Sequence, residues 1–229
     1  MKAVIFIFLS CLAIAFAQKK DNAFNDNWRK DFKVSFHDIV SEGINDYCIL
    51  KPGRVMVFEG KENGKNAVLT ITVLKETKMV DGFETRVVEE KETQNGRLIE
   101  VSRNYFGIDK RNKDIYYFGE AVDMYKHGKI VSHEGSWEAG VNGAKFGLAI
   151  PGAPKLGDTY YQEQAVDAKD RIEIVSLEES ISTPAGKFEH CIKTRETSPI
   201  EPGVVEYKIY AHGVGLVKDD SLKLVSVQE

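Results

Sequence analysis

The chain has 229 residues, 42% of them hydrophobic and 29% charged, with 31 Lys and Arg set against 35 Asp and Glu. A formal charge of −4 argues against a protein built mainly to neutralise nucleic-acid phosphates, so no nucleic-acid partner is expected. The apolar share is that of a packed core rather than of a disordered chain.

Residues 1–18 read MKAVIFIFLSCLAIAFAQ. Lys2 supplies a positive start, an apolar run follows, and Ala15-Phe16-Ala17 gives the small-x-small pattern of a signal-peptidase site. The reading is a cleaved signal peptide over 1–17, followed by an extracytoplasmic (periplasmic or secreted) chain. Lipidation at Cys11 is the weaker alternative. Leu9-Ser10-Cys11 resembles the end of a lipobox, but Phe8 stands where Leu is usual, and the apolar stretch from Leu12 to Ala17 would stay attached. No later apolar stretch reaches the roughly 20 residues that a membrane span takes, so no span is expected in the mature chain. Cleavage leaves Cys48 and Cys191. In an oxidising compartment they form either one disulfide or two separately buried thiols.

Residues 18–44 are expected to form an arm or one short helix. Trp28, Phe32, Phe36 and Val40 recur every fourth residue behind Asp26 and Asn27, whereas Phe32, Val34 and Phe36 also alternate as an extended arm would. From residue 45 to 229 the chain reads as a single β-rich domain. Asn63-Gly64, Asp81-Gly82, Asn95-Gly96 and His127-Gly128 mark tight turns. Between them, Ala67, Leu69, Ile71 and Val73 share one face, and Ile99, Val101 and Tyr105 lie opposite Glu100, Ser102 and Asn104. Further strand-like runs continue to Val227. The pattern predicts an all-β antiparallel barrel, half-barrel or sandwich of roughly 10–13 strands, with no βαβ rhythm. Residues 135–158 break it with a dense set of Gly and Pro, and read as a long irregular loop partly packed down by Val141, Phe146, Leu148 and Ile150.

Several segments resemble a bacterial family of secreted proteins and lipoproteins. They are NDYCILKPGRVMVFEG (45–60), Tyr117-Phe118-Gly119-Glu120, SWEAG (136–140), EPGVVEYK (201–208) and GVGLVK (213–218). The resemblance implies an extracytoplasmic β-rich domain and carries no catalytic assignment. Where the family reads Asn-Pro-Tyr-Phe-Pro-Leu, this chain has Asn45-Asp46-Tyr47-Cys48-Ile49-Leu50, which makes Cys48 particular to this branch.

The histidines (37, 127, 133, 190 and 212) show no metal-ligand spacing, and no Gly-rich phosphate loop or nucleophile elbow is present. No metal, cofactor or catalytic residue is therefore assigned. The expected function is non-enzymatic binding of a small apolar or carbohydrate-like ligand, or of an envelope partner. Trp137, Phe146, Tyr160 and Tyr161 would line the site, with Glu120 and Glu138 as polar contacts. The alternatives are a glycan or ester hydrolase using Glu120 and Glu138 as paired carboxylates, and a structural or interaction protein of the cell envelope. Runs such as Glu89-Glu90-Lys91-Glu92 read as solvated surface.

Overall fold

A computed structural model describes residues 28–229. The expected signal segment over 1–17, Cys11 within it, and the arm up to residue 27 lie outside the described residues. The described residues are all-β and contain no helix.

The first strands are β1 (Ile39–Val40), β2 (Gly43–Asn45), β3 (Cys48–Leu50), β4 (Val55–Glu62), β5 (Lys65–Val80) and β6 (Phe83–Gln94). Next come β7 (Arg97–Asp109), β8 (Ile115–Lys126), β9 (Lys129–Ser132), β10 (Trp137–Glu138), β11 (Lys145–Ile150) and β12 (Thr159–Tyr161). The last are β13 (Glu163–Gln164), β14 (Arg171–Thr183), β15 (Gly186–Ser198), β16 (Glu201–Ala211), β17 (Gly215–Asp219) and β18 (Leu222–Gln228). The main sheet has 16 strands, and its continuous path runs β12-β14-β15-β16-β17-β18-β4-β5-β6-β7-β8-β11-β13. It curls into a nearly closed antiparallel barrel.

The turn chemistry is local and legible. The four Asn-Gly, Asp-Gly and His-Gly pairs have φ of 47–53° at the first residue and 74–80° at the second. Positive φ at both central residues is what a type I′ hairpin requires, and Asn or Asp followed by Gly adopts it at low cost.

Closure depends on one short segment. Thr159–Tyr161 pairs with β14, whereas Glu163–Gln164, two residues further on, pairs with β11. The chain from 159 to 164 therefore joins the two ends of the sheet's path. At this seam Gly147 of β11 packs so closely that a Cβ would collide with the carbonyl oxygens of Tyr161 and Gln162.

Two segments left open by the sequence take definite form here. Residues 28–40 form no helix: the arm runs along the seam, with Arg29 in a parallel bridge to Tyr160. The Arg29 amide donates to the Thr159 carbonyl at 3.0 Å, and the Tyr161 amide donates to the Arg29 carbonyl at 2.9 Å. Phe32 then meets Tyr116 edge-on, and Phe36 stacks on Phe83. An exposed strand edge and aromatic contacts thus override the helical spacing. Residues 135–158 are also less irregular than expected, because Trp137–Glu138 and Lys145–Ile150 both pair with β8.

The core divides into a large cluster containing Phe83, Phe118, Ile150 and Ile172, and a smaller one around Phe58, Leu69, Val217 and Leu224. At the bulge of β5, buried Arg86 donates to the carbonyls of Leu74, Lys75 and Glu76 and pairs with Glu42 at 2.6 Å.

Substituting Gly147 by Ala should therefore separate the seam and lower the unfolding free energy by about 1–3 kcal/mol in urea titrations. A change smaller than ~0.5 kcal/mol, the usual surface-site effect, would show that the seam does not carry closure.

Candidate functional site

The barrel register sets the inner face. Directly opposite residues in an antiparallel pair project from the same face. One row runs Val73, Val88, Asn104, Glu120, Trp137. The next runs Ile71, Glu90, Ser102, Val122, and a third Leu69, Glu92, Glu100, Met124. The face that begins apolar on β5 becomes polar on β6 and β7. It encloses a cavity of about 160 Å³. Ile71, Val73 and Val88 form one part of the lining, and Glu90, Glu92, Glu100, Ser102, Asn104 and Glu120 form another. Lys208, Tyr210 and Asp219 contribute from β16 and β17, and Tyr47 to Leu50 also line it.

Removal from water dominates the electrostatics. Burial, then the charge of Glu92 directly opposite, pushes the Glu100 carboxyl up to about 8. Burial pushes Glu120 up to about 7, although the Tyr117 hydroxyl favours its charged form. The Tyr117 hydroxyl has one proton, for which Asn104 Oδ1 at 2.6 Å competes as acceptor. Glu120 is 2% exposed, and its Oε1 has no hydrogen-bond partner among the described residues. Glu163 is held well above the carboxylate range by burial and by the charge of Asp170, which outweigh the opposing effect of the Asp170 amide donating to Glu163 Oε1 at 2.9 Å. Across the cavity, burial opposes the charge of Lys208, but Glu196 at 2.8 Å and Asp219 opposite it outweigh that and raise its pKa. Arg54 pairs with Glu229 and donates to the Val214 carbonyl at 2.6 Å.

Of the six site residues expected from the sequence, Glu120 alone lines this cavity. Trp137 stands opposite it in the register, edge-on to Tyr117 with ring centroids 5.3 Å apart. Tyr160 and Tyr161 are buried in the seam, and Phe146 packs among Phe83, Tyr116 and Phe118. Glu138 follows inward-facing Trp137 and so projects from the opposite face, where it pairs with Lys78 at 2.5 Å. Glu120 and Glu138 thus share no space in which to flank one bond. Cys48 and Cys191 are free thiols, not a disulfide. Cys48 packs against the large cluster and Cys191 belongs to the small one. Burial pushes the Cys48 thiol up to about 12.

The sequence reading missed Glu90, Glu92, Glu100, Ser102, Asn104 and Lys208. A signal for the first two existed, since Val88, Glu90 and Glu92 share a face that begins apolar. Segments that carry the family resemblance also converge here: 47–50, Tyr117 and Glu120, Lys208, and 214–216 all line the cavity. No protein-family model and no curated protein matches the chain. A solved structure of a candidate lipoprotein from Parabacteroides distasonis ATCC 8503 is similar at 15% identity and a TM-score of 0.39, over 78% of this chain and 96% of that one.

The Glu100 shift predicts a pH dependence. From its ordinary value of 4.5 up to about 8, the folded chain keeps a proton that the unfolded chain releases. Its stabilising contribution is therefore full below the lower value and is lost as pH rises through the upper one. Glu100→Gln should reduce the stability loss between pH 5 and pH 8.5 by about 1–3 kcal/mol in urea unfolding. An unchanged pH slope would contradict the assignment.

Proposed function

We propose that this chain is an exported, non-enzymatic domain that holds a small ligand inside its barrel. The observation that carries the reading is the internal cavity of about 160 Å³, with an apolar part and a polar part. Cavities near 150 Å³ admit a single-ring molecule. An apolar body with a few fixed polar contacts is the usual design of a small-molecule site. The interior placement favours a ligand over an envelope partner, which would need an exposed surface. The opposed faces of Glu120 and Glu138 weigh against paired-carboxylate hydrolysis. Export rests on the residue pattern of 1–17. Among the described residues no helix is long and apolar enough to cross a membrane.

Titrating methyl-labelled protein with a panel of single-ring compounds should shift the resonances of Ile71, Val73 and Val88 while leaving exposed Val131 and Leu156 in place. Ser102→Phe, which fills the cavity, should abolish those shifts. Shifts confined to the surface, or retained in the folded filled variant, would reject the interior site. For export, the intact mass of protein recovered from the envelope or medium should correspond to a chain beginning at Gln18. A chain retaining residues 1–17 in the cytoplasm would refute it.

A further inference from the structure

We infer that the cavity selects a small organic cation, an ammonium-bearing molecule whose charge meets the carboxyl wall that includes Glu100 and Glu120 and whose apolar part rests on Ile71, Val73 and Val88. The inference deepens the ligand-binding reading above and rests on it.

Two independent observations carry it. The first is the charge of the lining, where Glu90, Glu92, Glu100, Glu120 and Asp219 outnumber Arg54 and Lys208. Arg54 also faces Glu229 outside the lining, and Lys208 is held between Glu196 outside it and Asp219 within it. As Glu100 and Glu120 ionise, an anionic ligand would enter against this excess. The second observation is Glu120 itself. It is 2% exposed, lines the cavity, and has one carboxyl oxygen with no hydrogen-bond partner among the described residues. A buried acceptor left unmade is costly, and an ammonium N–H supplies the donor it lacks. A bare metal ion fits less well, because no group of three or more His, Cys, Asp and Glu among the described residues is arranged to hold one. The apolar neighbours Ile71, Val73 and Val88 instead suit a hydrocarbon body attached to the charge.

The surroundings give such binding a proton signature. Glu100 faces Glu92 across the strand pair and feels Glu90 and Glu120, whereas Glu120 feels Tyr117, Glu90, Glu163 and Asp170. Lys208, Asp219, Glu196, Glu206, Tyr210, Arg54, Tyr47 and Cys48 make up the charged and titratable groups of the other side. A cation brought to the wall favours the ionised form of Glu100 and Glu120, so binding releases protons and strengthens as pH rises through their range.

Calorimetric titration with cyclohexylammonium, cyclohexanol and cyclohexanecarboxylate at pH 6 and pH 8 tests this. The ammonium should bind about tenfold or more tighter than the alcohol at pH 8. Its affinity should rise at least about threefold from pH 6 to pH 8, with a heat that depends on the buffer's ionisation enthalpy. Glu120→Gln should weaken ammonium binding about tenfold and narrow the preference for the ammonium over the alcohol. Should that variant not fold, the three-ligand comparison on the unaltered chain decides alone. Equal or tighter binding of the alcohol, or preference for the carboxylate, overturns the cation assignment and leaves an interior ligand site standing. Failure of all three to bind, together with unshifted interior methyls across the single-ring panel, overturns both.

Discussion

The double pairing of residues 159–164 is the constraint on which the rest of the architecture depends. A sheet of this length has two edges, and exposed edges invite pairing with other chains. Here one segment binds β14 with its first half and β11 with its second, and the arm at Arg29 covers the remaining edge of β12. The change of neighbour within so few residues leaves no room for a side chain on β11 where the segment passes, hence Gly147. Closure then takes Glu163, on the seam itself, entirely out of solvent.

Once closed, the barrel turns a polar inner face into an electrostatic problem that it solves in two ways. On the acidic wall, Glu92 stands directly opposite Glu100, a like-charge pair that an open sheet would leave to water. In the enclosed barrel, burial is the larger cause of the Glu100 shift and repulsion from Glu92 the smaller, so holding a proton is the easier state. On the other wall the outcome is reversed. Burial works against Lys208, but Glu196 and Asp219 together outweigh it, and the lysine stays charged. Neutralisation by protonation and neutralisation by pairing thus coexist within one interior, each used where its partners make it cheaper.

Much of the fold was legible because its determinants are local. Asn63-Gly64 and Asn95-Gly96 state their turn type in two residues, and Ala67, Leu69, Ile71 and Val73 state their inward face by alternation. The arm was ambiguous because Phe32 and Phe36 satisfy a helical and an extended spacing at once. What decides between them is the strand edge at Tyr160, made by the distant pairing of β12 with β14. The site failed to show for a different reason. Alternation on β7 correctly separates Glu100, Ser102 and Asn104 from Val101 and Tyr105, and the natural assumption turns the polar set outward. Both sets are buried, and the polar set lines the cavity. Which face is interior follows from register with β5 and β6, a pairing across long stretches of chain that residue order does not display. Aromatic residues drew attention to Trp137, Tyr160 and Phe146, but these three build walls and seam, and the aromatic residues that do line the cavity are Tyr47, Phe106, Tyr117 and Tyr210.

Part of the cavity lining is tied to the same closure. The β2–β3 hairpin brings Tyr47 to Leu50 to the lining, and its position depends on Asn45, which is 1% exposed. The Asn45 side-chain amide donates to the Lys113 carbonyl at 2.7 Å and the Pro151 carbonyl at 3.1 Å, while its Oδ1 accepts from the Tyr47 amide at 2.7 Å. Lys113 lies just before β8 and Pro151 just after β11, so one side chain reads the relative position of two paired strands. Because β11 is also the strand that meets β13, a shift at the seam moves Pro151 and with it the hairpin. Asp46 adds a second tether, its carbonyl accepting from the Gly213 amide at 2.7 Å and its carboxylate meeting His212 at 3.3 Å. Through the first of these anchors, the placement of Tyr47 to Leu50 on the lining and the closure of the barrel form one mechanical unit.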